Sequence, residues 1–131
     1  MATTDAQGFL RDWNKPGPHA DIHGATTVRR GQPIDTFIAF RGCRADAQGR
    51  CNVTASFELR DPNGKPVAYP PLEVWANRPQ PAPGLIYMSR QSLGMTFTAD
   101  DPLGAYVVRA AVTDHVAGIT LHTQQVLTVS K

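Results

Sequence analysis

The chain has little of what marks an enzyme, a metalloprotein or a nucleic-acid binder. It carries two cysteines and four histidines in 131 residues, and no His-x-His spacing of the kind a copper–zinc dismutase requires. Its formal net charge is +2, too small an excess to draw nucleic acid or an anionic membrane. No apolar run approaches the length of a membrane-spanning helix, so membrane insertion is not expected. Nothing apolar follows Met1, so no secretory leader is read there. Helix-period patterns end at about residue 20, which removes the crossover helices an α/β fold would need. Ser92 lies in Arg90-Gln91-Ser92-Leu93-Gly94, which lacks the first glycine of a nucleophile elbow. Asp100-Asp101 is only a pair, better suited to a turn than to calcium. No convergent acid, base and nucleophile emerges, so the chain is expected to be non-enzymatic and to need no cofactor.

Turns are what the sequence has in quantity. Eleven prolines and eleven glycines punctuate it at intervals, the mark of an all-β protein. The clearest stretch is Cys51 to Tyr69. Val53, Ala55, Phe57 and Leu59 alternate with Asn52, Thr54, Ser56, Glu58 and Arg60, the period of a half-buried strand. Asp61-Pro62-Asn63-Gly64 follows, where proline presets φ and Asn-Gly takes positive φ at little cost. Further strands are predicted over Ile22–Arg30 at an edge, Ile34–Phe40 as one central run, Val67–Tyr69, Leu72–Ala76, Leu85–Ser89, Leu93–Thr98, Ala105–Thr113 and Ile119–Val129. The last changes apolar phase between Leu121 and Val126, which predicts a bulge. Seven to nine short antiparallel strands at this spacing predict a β-sandwich. Residues 1–20 read as a peripheral N-terminal arm or short helix carrying Phe9, Leu10 and Trp13, and residues 21–131 as the sandwich domain.

Cys43 and Cys51 bracket the polar loop Arg44-Ala45-Asp46-Ala47-Gln48-Gly49-Arg50 between two strands. A bridge there would close the neck of a hairpin and stabilise by roughly 2–3 kcal/mol in the chain-entropy view. Their spacing fits neither a Cys-x-x-Cys redox pair nor a zinc site. A structural disulfide points to an oxidising compartment. Met1 would then open a mature chain, periplasmic or secreted.

Candidate ligand residues are few. His19, Asp21 and His23 could share one side of a strand, as weak metal candidates against plain surface histidines. Met88, Met95, His115 and His122 have the donor chemistry of copper, although methionines more often fill core gaps. The aromatics are more usable. Trp75 either packs in the core or, by parity with Leu72, Val74 and Ala76, stands exposed near Tyr69, Tyr87 and the proline-rich stretch 77–84. Exposed aromatics beside rigid prolines would suit a protein partner or a sugar.

Gly31-Gln32-Pro33 before a strand, Asp61-Pro62-Asn63-Gly64-Lys65-Pro66-Val67, and Leu103-Gly104-Ala105-Tyr106-Val107-Val108 follow one another in an order that resembles the immunoglobulin-like domains of bacterial exported proteins. The chain is similar in particular to the second-domain type of the α-2-macroglobulin family, over roughly residues 28–129. It departs from that family as a lone domain without the Cys-Gly-Glu-Gln thioester motif, so protease trapping is not implied. The resemblance implies an immunoglobulin-like β-sandwich that binds or spaces another protein outside the cytoplasm. A small-ligand module, for carbohydrate through Trp75 and Tyr87 or for copper through histidine and methionine, is the alternative.

Overall fold

The computed structural model describes residues 1–13 and 24–131; His19, Asp21, Ile22, His23 and the boundary expected at residue 20 fall outside them. The described chain is all-β apart from one helix. The larger layer is built on β5 (Arg50–Arg60), the strand written most clearly in the sequence, whose burial alternates as its residues do. On one side β5 pairs antiparallel with β10 (Gly104–Asp114), and β10 pairs with β11 (Ile119–Ser130). On its other side β5 pairs with β6 (Pro66–Ala68) and with β7 (Leu72–Pro79). The far edge takes β2 (Thr27–Arg29), which runs parallel to β11 at residues 128–130. That pairing is the exception to the antiparallel arrangement expected.

The second layer is shorter and broken. β1 (Ala2–Thr3), β3 (Ile34–Thr36) and β9 (Leu93–Met95) form one piece, and β4 (Ala39–Arg41) with β8 (Ile86–Met88) the other. The single run expected over 34–40 is thus two strands. Phe37 and Ile38, adjacent in sequence, are both buried, and a pleated strand cannot point neighbours to one side. The strand breaks at this pair, and Ile38 joins the main core while Phe37 joins a satellite cluster with Phe9 and Met88. Ser89 bridges the resulting break in the ladder. Its hydroxyl accepts from the Ile38 N–H at 3.0 Å and donates to the Gln91 carbonyl at 2.8 Å, while its own N–H donates to Ile38 O.

The main core lies between the layers. Val53, Ala55, Phe57, Leu59, Tyr106, Val108, Ala110 and Leu127 meet Ile34, Ile38, Leu93, Met95 and Phe97. Residues 1–13 are less peripheral than expected. Ala2, 1% exposed, belongs to that core, and α1 (Ala6–Trp13) lays Phe9 on Phe37 at 5.8 Å between ring centroids. Asp5 caps the helix by accepting the Gly8 N–H at 3.0 Å.

Both predicted turns form. Asp61 Oδ1 accepts from the N–H groups of Asn63 and Lys65, and Gly64 takes φ of 84°. This is a turn with a glycine bulge, the three-residue hairpin solution. At the other turn, Asp101 accepts from Thr98 N and the Tyr106 hydroxyl donates to Pro102 O at 2.7 Å. A tyrosine tied back to the chain just upstream is the corner device of immunoglobulin-type sandwiches.

Candidate functional site

One end of the sandwich is organised by the Cys43–Cys51 disulfide, with Cα atoms 6.1 Å apart. Cys51 is fully buried and anchors the loop to β5. Within the loop Asp46 Oδ1 accepts from Gln48 N and Arg50 N. The proline-rich segment leans on this loop. Gln80 donates its backbone N–H to Gly49 O and its side-chain amide to Cys43 O, and the Arg50 guanidinium donates to Asn77 O at 2.7 Å. Cross-linked loop and stiff segment therefore hold each other.

Trp75 sits where the two meet, and the sheet register explains how. Strict alternation along β7 would put Trp75 and Leu72 on opposite faces. The β5·β7 ladder shifts between Val53 and Thr54, so Trp75 pairs with Val53 and Leu72 with Ala55, both inward-facing partners. The irregularity expected in β11 is found here instead, while β10·β11 runs without a slip from Gly104↔Val129 to Asp114↔Ile119. Leu121 and Val126 broke the apolar phase only because both are exposed, at 69% and 50%.

The shift resolves the two alternatives for Trp75. It is half-buried, packed against the end of the core, with its rim at the surface. Phe40 and Tyr87 face each other across β4·β8 and close on it. Trp75 and Tyr87 meet edge to face with centroids 5.3 Å apart; Phe40 lies 5.7 Å from Trp75 and 6.3 Å from Tyr87. Such contacts add about 0.5–1.5 kcal/mol per pair beyond burial. The indole N–H donates to Pro79 O at 2.8 Å, and the Arg78 guanidinium lies 5.3 Å from the ring centroid. The polar edge of the tryptophan is thus satisfied and one of its faces covered. Leu85, two residues before Tyr87, is 54% exposed; Ile86, 49% exposed, pairs with Arg41 on the opposite face of β4·β8.

Trp75 and Tyr87 are therefore brought together, and Tyr69 is not with them. Tyr69 lies toward the opposite end, lining a cleft of about 490 Å³ with Tyr106, Phe97, Asp61 and Asp101. Burial first, and the Asp101 carboxylate second, push its phenol above the ordinary value of 10.0. Met88 and Met95 fill the two core clusters, as methionines commonly do. His115 Nε2 shares a hydrogen bond of 2.8 Å with Thr54 Oγ1, and His122 sits exposed on β11. Ser92 donates to Asp35 Oδ1 at 3.0 Å. Among the described residues no three His, Cys, Asp or Glu side chains gather as metal ligands. Phe40 and Arg78 went unread in the sequence as members of one site, because only strand pairing and the bulge place them around Trp75.

A comparison with protein-family models finds no match to this chain, and a comparison with curated proteins finds none either.

Proposed function

We propose that the protein is a non-enzymatic, immunoglobulin-like domain that works in the periplasm or outside the cell by docking another protein. In this reading it belongs with the exported domains of the α-2-macroglobulin type that its turn motifs resemble. The observation that carries the proposal is the Phe40–Trp75–Tyr87 platform, with exposed Leu85 two residues before Tyr87. Half-buried aromatics with an exposed aliphatic close by in the chain, on a braced frame, have the composition of a protein-binding hot spot. The disulfide supports an oxidising compartment, and no helix among the described residues is long and apolar enough to cross a membrane. The sugar-binding alternative has less support, because stacking a pyranose needs an open ring face. Here Arg78 covers one face of Trp75 and Tyr87 abuts the ring.

Site-specific photo-crosslinking in cells that make the protein tests the reading. A photoreactive residue replacing Leu85 is expected to capture a discrete protein, while the same probe replacing Arg109, on the outer face of β10, is not. No protein adduct at position 85, or the same adducts at both positions, overturns the docking proposal. Cell fractionation tests the compartment separately.

A further inference from the structure

The outer edge of β11 is finished only in part. β2 pairs with it at residues 128–130, and among the described strands none takes the same edge from 119 to 127. Contacts at the covered end fix which way the backbone groups point. Thr128 N–H donates to Thr26 O at 2.8 Å, and Ser130 O accepts from Arg30 N at 2.9 Å, so even-numbered residues turn their polar groups to the edge. The β10·β11 ladder has no slip, so the alternation carries back through Val126, Gln124, His122 and Thr120. Odd-numbered side chains share the face of buried Leu127 and Val129. Ile119 and Leu121 belong to that inward face, yet they stand 54% and 69% exposed.

A groove of about 350 Å³ borders the same stretch. Thr123 and Gln125 line it from β11, and Ile38, Phe57, Val108 and Ala110 make it apolar. One run of chain thus combines edge-directed backbone groups, exposed aliphatics on the core-side face, and an open apolar groove.

We propose that a second copy of this chain completes all three, pairing β11 with β11 antiparallel about a two-fold axis at His122. The free length selects that register. With the axis at His122, Leu121 of one copy stands opposite Thr123 of the other, Thr120 opposite Gln124, and Ile119 opposite Gln125. Pairing then stops short of the part of the edge that Thr26 and β2 hold. An axis at Thr123 would bring Ile119 opposite Leu127, beside the Thr27↔Thr128 pair, where Thr26 already lies. At His122, the even residues exchange backbone hydrogen bonds across the axis. The odd residues form the closer pairs, about 4.5 Å between Cα atoms, and Leu121 and Ile119 of each copy are laid over the groove of the other.

The edge itself favours a second copy over a foreign strand. It holds neither charge nor proline from Ile119 to Ser130, so two identical edges meet without repulsion. Ile119 and Leu121 are also the aliphatics that the groove calls for, and a two-fold makes each copy both giver and receiver of them. Pairing over 119–125 falls far short of the roughly 20–30 residues a side of a standard interface. The dimer is therefore weak, and the dilute chain keeps its edge free. This edge lies across the sheet from β7, so pairing leaves the Trp75 platform open and stands or falls apart from docking there.

Sedimentation equilibrium of the oxidised chain tests the pairing. The average mass should rise from one chain toward two as concentration approaches about 1 mM. His122→Lys sets like charges against each other on the axis and should weaken association roughly 5-fold or more. Ser56→Lys, exposed on the outer face of β5, should leave it unchanged. Cysteine substitution reads the register. His122→Cys should cross-link two copies, because facing residues of this pair type stand about 5.5 Å apart, within disulfide reach. Thr120→Cys, also exposed, faces Gln124 rather than itself and should not. A chain that stays monomeric at about 1 mM, or association that His122→Lys leaves unchanged, overturns the proposal. Cross-linking at position 120 equal to that at 122 overturns it as well, since only random collision or another register would produce it.

Discussion

Single side chains at the two ends of this sandwich do different work, and removing them should be felt differently. Tyr106 is 2% exposed, packs its ring on Phe97 at 4.8 Å and ties Pro102 O to the start of β10. Tyr106→Phe keeps the ring and deletes the donor, so urea unfolding should show a loss of about 1 kcal/mol with an unchanged slope. A loss several times larger would mean that the corner organises the turn rather than merely fastening it. Gly104, just before it, takes φ of 123°, and a Cβ there would stand 3.4 Å from Pro62 Cγ of the neighbouring turn. The contact itself is tolerable; the backbone is not, since a side chain at that φ is strained by about 1–3 kcal/mol. Gly104→Ala should therefore lower the urea midpoint at least as far as Tyr106→Phe. The Leu-Gly-Ala-Tyr signature was legible in the sequence as a strand start. The packing of Pro62 beneath it was not, because that contact joins two turns distant in the chain.

At the scale of elements, what could be read was each strand that alternates and is flanked by turn residues. β5, β10 and the Asp61–Gly64 turn are where period-two patterning places them, because a face buried along the whole strand writes its alternation into the residues. Patterning failed where two elements share a segment. The 34–40 run splits because Phe37 and Ile38 serve different clusters, and β7 shifts because Val74 and Trp75 both pack inward. It misled in β11, where exposed Leu121 and Val126 mimic a slip. That strand carries a further consequence. β2 covers it only at residues 128–130, and among the described strands none pairs with the same edge from 119 to 127. Alternate amides along an antiparallel edge strand point away from the partner, toward solvent. Hydrogen exchange should therefore find every second amide of 119–125 fast, with those between them slower and β5, paired on both sides, slowest. Uniform protection along β11 would show that the edge is covered in solution. The edge holds neither charge nor proline from Ile119 to Ser130, the devices that usually discourage strand addition.

The two ends of the molecule are fixed by different chemistry, and each responds to its own change of conditions. At one end the disulfide holds the loop on which Gln80 and Asn77 rest. Replacing both cysteines by serine should cost roughly 2–3 kcal/mol of stability and also free the platform, visible as loss of the Trp75 indole shift and faster exchange at Gln80. A stability loss without any change at Trp75 would show that the aromatic rings brace themselves. The pairing of Cys43 with Cys51 was legible from spacing, but its grip on the proline-rich segment was not, since that depends on hydrogen bonds between loops. At the other end, around Tyr69 and Tyr106, the relevant condition is pH. Burial, then Asp101, raises the Tyr69 phenol above 10.0; burial, then Asp101 and Asp61, raises that of Tyr106, with Arg30 opposing. A raised phenol pKa means that the folded chain holds its proton where the unfolded chain releases it. Their contribution is complete below pH 10, and stability falls as pH climbs from there through the folded values. Tyr106→Phe removes one of the two titrations, so the variant should lose less of its remaining stability between pH 10 and the end of the alkaline transition than the parent does. Parallel curves for the two proteins would place the alkaline loss elsewhere, in the deprotonation of groups outside this cleft.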